Sequence, residues 1–126
     1  VVMNVASGTG NGVLEGAKEA GHYAIGVDLN QDNDQPGAVF TSMMKRVDKA
    51  CYLTIESVVN GTFQGGTTEY LDIAKGGVSL TDMSVIKEAL GDKFPQDIQD
   101  AIADLEAKVV SGEIVVDNYQ GFGANK

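Results

Sequence analysis

The sequence contains no tryptophan, two prolines, one histidine and one cysteine, and its nine basic residues face eighteen acidic ones. Each shortage excludes something. A single cysteine, Cys51, cannot make an internal disulfide, and one histidine with one cysteine does not supply a common zinc site. A net charge of −9 argues against nucleic acid or an anionic membrane surface as partner, and leaves room for a neutral polar ligand. No run approaches the roughly twenty apolar residues of a membrane span. The nucleophile elbow, the P-loop and the paired-histidine zinc motif are all missing, so no catalytic constellation, resident metal or cofactor is expected. What remains is 126 residues, 43% apolar, with 16 glycines: an ordinary folded composition of single-domain size, rich in turns.

The most informative stretch is Val1 to Asp28. VVMNVA is an apolar run of the kind a buried parallel strand needs, broken only by Asn4. Ser7 to Gly12 is too glycine-rich for regular structure and predicts a tight turn. Val13 to Ala20 carries Val13, Leu14, Ala17 and Ala20 at helical spacing, with Gly21 as a stop. His22 to Asp28 predicts a second strand, parallel to the first, that ends on a carboxylate. The fold class is therefore α/β, and the glycine turn and Asp28 fall together at the carboxyl ends of strands, where such sheets bind ligands. Three readings of this unit stay open: a dinucleotide-binding fingerprint, a sugar- or nucleoside-binding lobe, and a plain structural unit. Gly8-Thr9-Gly10 and Asp28 suit the first, but its third glycine should stand at position 13, which is Val13.

Further along, 29–37 reads as a polar loop and Ala38 to Thr41 as a short strand. Arg46 to Asn60 reads as an amphipathic helix with Val47, Cys51, Ile55 and Val58 on one face, which makes Cys51 a core thiol. EYLDIA and GGVSL read as extended segments, and Thr81 as the N-cap of a short helix ended by Gly91. Pro95 opens a last helix with Ile98, Ile102, Leu105 and Val109 as its apolar stripe. Glu113 to Val116 predicts a final strand, and the residues after it a loose tail. His22 is expected on the surface. Asp32 and Asp34 offer at most weak cation binding, since the spacing of a calcium loop is missing.

Read in order, VASGTGNGVLEGAKEAGHYAIGVDLNQ, TSMMKRVDKA, VVNGTFQGG, GGVSL and SGEIVV resemble the C-terminal part of the basic membrane protein family. These are substrate-binding lipoproteins of ABC transporters, typified by purine nucleoside-binding lipoproteins. The resemblance runs over nearly the whole chain and implies a type I periplasmic-binding-protein fold of two doubly wound, mainly parallel lobes. Residues 1–126 would be a C-terminal fragment of such a protein, consistent with a chain that opens inside a strand at Val1. About 1–42 would be second-lobe βαβ and strand; about 43–126 would be the interlobe crossing helix, further strands and the C-terminal helix. The family is not enzymatic. It implies capture of a nucleoside, a purine above all, between closing lobes and delivery to an ABC transporter permease. It further implies an extracytoplasmic site, lipoprotein-anchored or periplasmic, with signal and anchor outside these residues. The missing N-terminal part, or a second copy of the chain, would cover the apolar faces.

Carried onto this sequence, Gly8, Thr9 and Gly10 would approach the ribose with backbone amides. Asp28 would accept hydrogen bonds from ribose hydroxyls, and Lys45 would reach the ligand or hold Asp28 ionised, with Gln31 a weaker candidate. Charge-assisted bonds of this kind contribute roughly 1.5–3 kcal/mol each. The family also stacks an aromatic ring on the base, yet VVMNVAS offers only Met3 and Asn4; Tyr119 and Phe122 lie in the tail. The alternatives are an NAD(P)-binding Rossmann fragment of an oxidoreductase and a ligand-sensing relative of the binding-protein fold that does not transport.

Overall fold

The computed structural model describes residues 1–117. Its elements run β1 (Val2–Met3), a 3₁₀ turn (Ser7–Thr9), α1 (Gly10–Glu19), β2 (Ala24–Asp28), β3 (Val39–Lys45), α2 (Val47–Val59), β4 (Val78–Leu80), α3 (Ser84–Leu90), a second 3₁₀ turn (Gly91–Lys93) and α4 (Gln96–Ser111). The chain divides into two compact units, Val1–Phe94 and the stretch from Pro95 onward.

The first unit is built on a four-stranded sheet in the order β1-β2-β3-β4. β1, β2 and β3 are mutually parallel, as expected of the opening unit, while β4 joins β3 antiparallel. The register between β2 and β3 shifts once, so that Ala24 faces Val39 but Ile25 faces Thr41, and Phe40 is the extra residue of a bulge. Leu14 and Ala17 of α1 bury against Ala24 and Val39 to form the core. Ile86 and Met83, at and just before the start of α3, are buried too. Phe40 meets Tyr23 edge-on at 5.5 Å and stacks on Phe94 at 5.9 Å, with the Lys87 ammonium over the Phe94 ring.

β1 is shorter than the apolar run VVMNVA predicts, and Asn4 is the reason. Its Oδ1 accepts from the Ala6 amide at 3.2 Å, an Asx turn that bends the chain out of the sheet. α1 in turn begins at Gly10, three residues before Val13. A glycine inside a helix costs roughly 1 kcal/mol against alanine, which is why the sequence reads as a turn there. The structure requires it: a Cβ on Gly10 would fall inside the side-chain amide of the buried Asn4.

Other departures have equally local causes. β3 runs on to Lys45 because Met43, Met44 and Lys45 pair with Leu80, Ser79 and Val78, a partner distant in sequence. EYLDIA is not a strand: Asp72 accepts the Gly77 and Lys75 amides, by main chain and side chain respectively, and closes a turn. Thr81 does not cap α3. Its hydroxyl is bound instead to Thr41 Oγ1 and the Ser42 amide on β3, and the Asp82 carboxylate takes the Ser84 amide at 2.9 Å. Cys51 is exposed, with Val47, Ile55 and Val58 of the same face, so it is no core thiol among the described residues.

In the second unit, α4 ends at the left-handed Gly112, with the Ile114 amide folded back on the Lys108 carbonyl. Ile98 and Leu105 of its apolar stripe are exposed. Residues 113–117 form no strand, for no partner strand lies beside them among the described residues. The remaining tail, with Tyr119 and Phe122, lies outside the described residues. Among those described, no helix is long and apolar enough to cross a membrane.

Two outcomes test this account. Gly10→Ala should destabilise the fold by about 1–3 kcal/mol through overpacking, and pairing it with Asn4→Ala should give clear non-additivity. Urea unfolding of the two singles and the double decides it; strict additivity would mean that Gly10 and Asn4 do not share the space.

Asp82 gives a pH test. The Ser84 amide bound to its carboxylate holds the Asp82 pKa below the ordinary 3.8. The stabilisation it lends α3 is therefore present above the ordinary value and lost as pH falls through the depressed one. The stability gap between wild type and Asp82→Ala should narrow as unfolding is measured at progressively more acid pH.

Candidate functional site

The carboxyl ends of β1 and β2 and the loops that leave them enclose a cleft of about 230 Å³. Asn4, Ala6, Ser7, Val27, Asp28, Leu29 and Gln31 line it. A parallel pair forces both strand ends to the same side, so the sheet itself places these groups together.

Asp28 closes β2 in an unusual backbone. The Leu29 amide donates to the Val27 carbonyl at 2.9 Å, two residues back, and Asp28 between them has φ of 73°. This is a γ-turn of the rare, strained hand, and aspartate is one of the few residues that tolerate left-handed φ. Strain of this sort in a cleft points to function. Lys45, at the end of the neighbouring β3, reaches Asp28 Oδ1 with its Nζ at 2.9 Å. Both side chains are about half exposed (57% and 49%), so the pair contributes little to stability and is free to meet a ligand.

A polar network runs from the cleft lining, at Asn4 and Gln31, into the interior. Gln31 Oε1 accepts from the Val27 amide at 3.0 Å and from Asn4 Nδ2 at 3.3 Å. Its Nε2 donates to Asn11 Oδ1 and Asp34 Oδ2. The Gln31 amide donates to Ser42 Oγ at 3.0 Å, and that hydroxyl donates at 2.6 Å to the buried Asp32. Asp32 is thus tied into the loop and not presented to a cation, and no metal-ligating cluster occurs among the described residues. Gly26 lets this happen: a Cβ there would overlap Ser42 Oγ and Gln31 Cβ.

Of the residues singled out from sequence, Asp28 and Lys45 come together. Gly8 and Thr9 sit in the 3₁₀ turn after β1, and Gly10 is buried at the start of α1. The Thr9 and Gly10 amides donate within the turn, to the Ala6 and Ser7 carbonyls, while a Cβ on Gly8 would meet only open space. Gly8 thus has open space beside it, but none of Gly8, Thr9 and Gly10 is among the residues lining the cleft, which the turn reaches only through Ser7. Sequence reasoning missed Asn4, Ser42 and the saturation of Gln31. The signal available was polarity out of place: Asn4 interrupts an apolar strand, and Ser42 follows one. His22 is exposed, as expected.

The cleft thus lies at the carboxyl ends of parallel strands, where open α/β sheets bind ligands. A family profile described as ABC transporter substrate-binding protein PnrA-like matches residues 1–120, and the chain belongs to that family. It is a family of binding proteins and not of enzymes, which displaces the dehydrogenase alternative. The chain is 34% identical over 119 residues to basic membrane protein C of Borreliella burgdorferi, covering 92% of this chain and 32% of that protein. It is 39% identical over 83 residues to basic membrane protein D of the same species, covering 64% and 24% respectively. Among solved structures, an ABC transporter solute-binding protein from Aeropyrum pernix superposes with a TM-score of 0.77 at 25% identity, covering 96% of this chain and 41% of the other. The chain spans about a third of the length of basic membrane protein C.

The γ-turn makes its own prediction. Asp28→Asn, which keeps tolerance of left-handed φ, should change stability by less than about 1 kcal/mol. Asp28→Val should cost clearly more, because a β-branched residue resists this conformation. Equal stabilities of the two variants in chemical denaturation would contradict the strained turn.

Proposed function

We propose that this chain is the C-terminal part of a two-lobed, extracytoplasmic solute-binding protein that captures a nucleoside, a purine nucleoside above all, for an ABC transporter permease. The observation that carries the reading is Asp28, held on a strained turn in the cleft with Lys45 at 2.9 Å. A carboxylate accepts from two adjacent hydroxyls at once, as a ribose presents them, and the neighbouring ammonium offers further donors. Gly8 leaves space for the sugar to approach.

The cleft of about 230 Å³ falls below the roughly 300–1,000 Å³ usual for enclosed small-molecule sites, as one wall of a two-walled site would. The second wall, and with it the aromatic partner of the base, is assigned to a first lobe outside this chain. Residues about 1–42 belong on this reading to the second lobe, and about 43–126 to the interlobe crossing and the C-terminal helix. The exposed apolar face of α2, with Val47, Ile55 and Val58, is assigned to contact with that remainder of the protein. Lipoprotein anchoring is assigned likewise to the parts outside this chain.

Titration calorimetry on the intact two-lobed protein tests the reading. Asp28→Ala should weaken binding of inosine, guanosine or adenosine by roughly 10- to 100-fold, the loss of one charge-assisted group. A 2′-deoxynucleoside should bind the wild type less well but lose little more in the variant, since both changes remove one contact. NAD should bind neither protein. Micromolar binding of NAD with no response to nucleosides would overturn the proposal, and normal nucleoside binding by Asp28→Ala would reduce Asp28 to a structural role.

A further inference from the structure

We propose that Gln31 is the positioning residue for Asp28: its side-chain amide clamps the γ-turn that aims the carboxylate into the cleft. The inference rests on the reading of Asp28 as a ligand-binding group. The turn needs an external support, because a non-glycine residue at φ of 73° persists only where its surroundings over-determine it. Its immediate neighbours do not supply one. Leu29 is 71% exposed, Asn30 is exposed, and the Lys45 ion pair is half in solvent.

Gln31 supplies the support from within. Val27 is the residue whose carbonyl closes the γ-turn, and its amide is held by Gln31 Oε1 at 3.0 Å. The main chain of Gln31 is itself pinned to β3 through Ser42 Oγ, which is anchored on the buried Asp32. Its side chain further reaches Asn4 at the end of β1, Asn11 in the first turn of α1, and Asp34 in its own loop. One residue thus joins the ends of β1 and β2 to the middle of β3 around the turn that carries Asp28. Gln31 also lines the cleft, which invites a direct ligand contact. An amide offers two acceptor sites and two donors, and here all are engaged, so Gln31 has none to give a ligand without releasing the clamp.

The test uses the intact two-lobed protein. In Gln31→Ala, and in the shape-retaining Gln31→Met should the alanine variant not fold, the crystal structure should show Asp28 relaxed out of positive φ. Preference for ribonucleoside over 2′-deoxynucleoside should fall about tenfold, yet in an Asp28→Ala background the same change should alter affinity less than about twofold. Gln31→Glu combined with Asp34→Asn reverses one hydrogen bond while keeping the acceptor for Val27, and should restore the preference. Retention of the γ-turn in both single variants, or fully additive losses in the double, would overturn the proposal. If the intact wild type binds no nucleoside, the proposed function fails and the crystallographic comparison alone decides for or against the clamp.

Discussion

The structure at the strand ends depends on one requirement: amides and hydroxyls taken out of water must find partners. Asn4 and Ser42 are almost fully buried, Asp32 as well, and each is satisfied through Gln31 or a group bonded to it. An unmade bond in such a place costs about 1–3 kcal/mol, so the network behaves as a unit and not as a set of separable contacts. Its geometric conditions reach into the backbone. Gly10 and Gly26 are bare because Asn4, Ser42 and Gln31 occupy the space where their side chains would stand.

The network also explains how a short, exposed strand end can hold a high-energy conformation. β1 has only two residues, both exposed, and the loop after β2 has little apolar burial. Hydrophobic packing under α1 holds the sheet together, while the amide network sets the loops above it. Rigidity is thus concentrated below Asp28 and Lys45, whose own side chains stay half in solvent. This division suits a binding site, where the framework is preorganised and the recognising groups remain accessible.

Much of this was legible in the sequence, and what was not has an identifiable cause. The strand-helix-strand order and the parallel pairing follow from apolar periodicity, whereas the meeting of Asp28 with Lys45 is expected only from the family resemblance, since the local pattern ends that strand at Thr41. Boundaries were less visible. Asn4 shortens β1 through its own side chain, and β3 is lengthened by β4, some 35 residues away, which no local pattern announces. Thr81 looked like a helix cap because threonine before an apolar period usually is one; here a sheet partner competes for the same hydroxyl and wins. Cys51 looked buried because an amphipathic stripe says which face seeks cover, and does not say whether the cover lies within the same chain.

The glycine turn shows why a motif needs its surroundings before it names a ligand. In a dinucleotide fingerprint the second glycine lets a pyrophosphate approach the backbone. Here that position is Gly10, and the space beside it is filled by the carboxamide of Asn4 from the preceding strand. The amides of Thr9 and Gly10 are likewise spent inside the turn. A glycine that makes room for a neighbouring side chain and one that makes room for a phosphate look identical in sequence. They are separated only by what stands next to them. Gly8, the first glycine of the motif, keeps open space beside it and follows Ser7, which lines the cleft. The motif that first suggested a cofactor therefore resolves into a packing glycine and an open one.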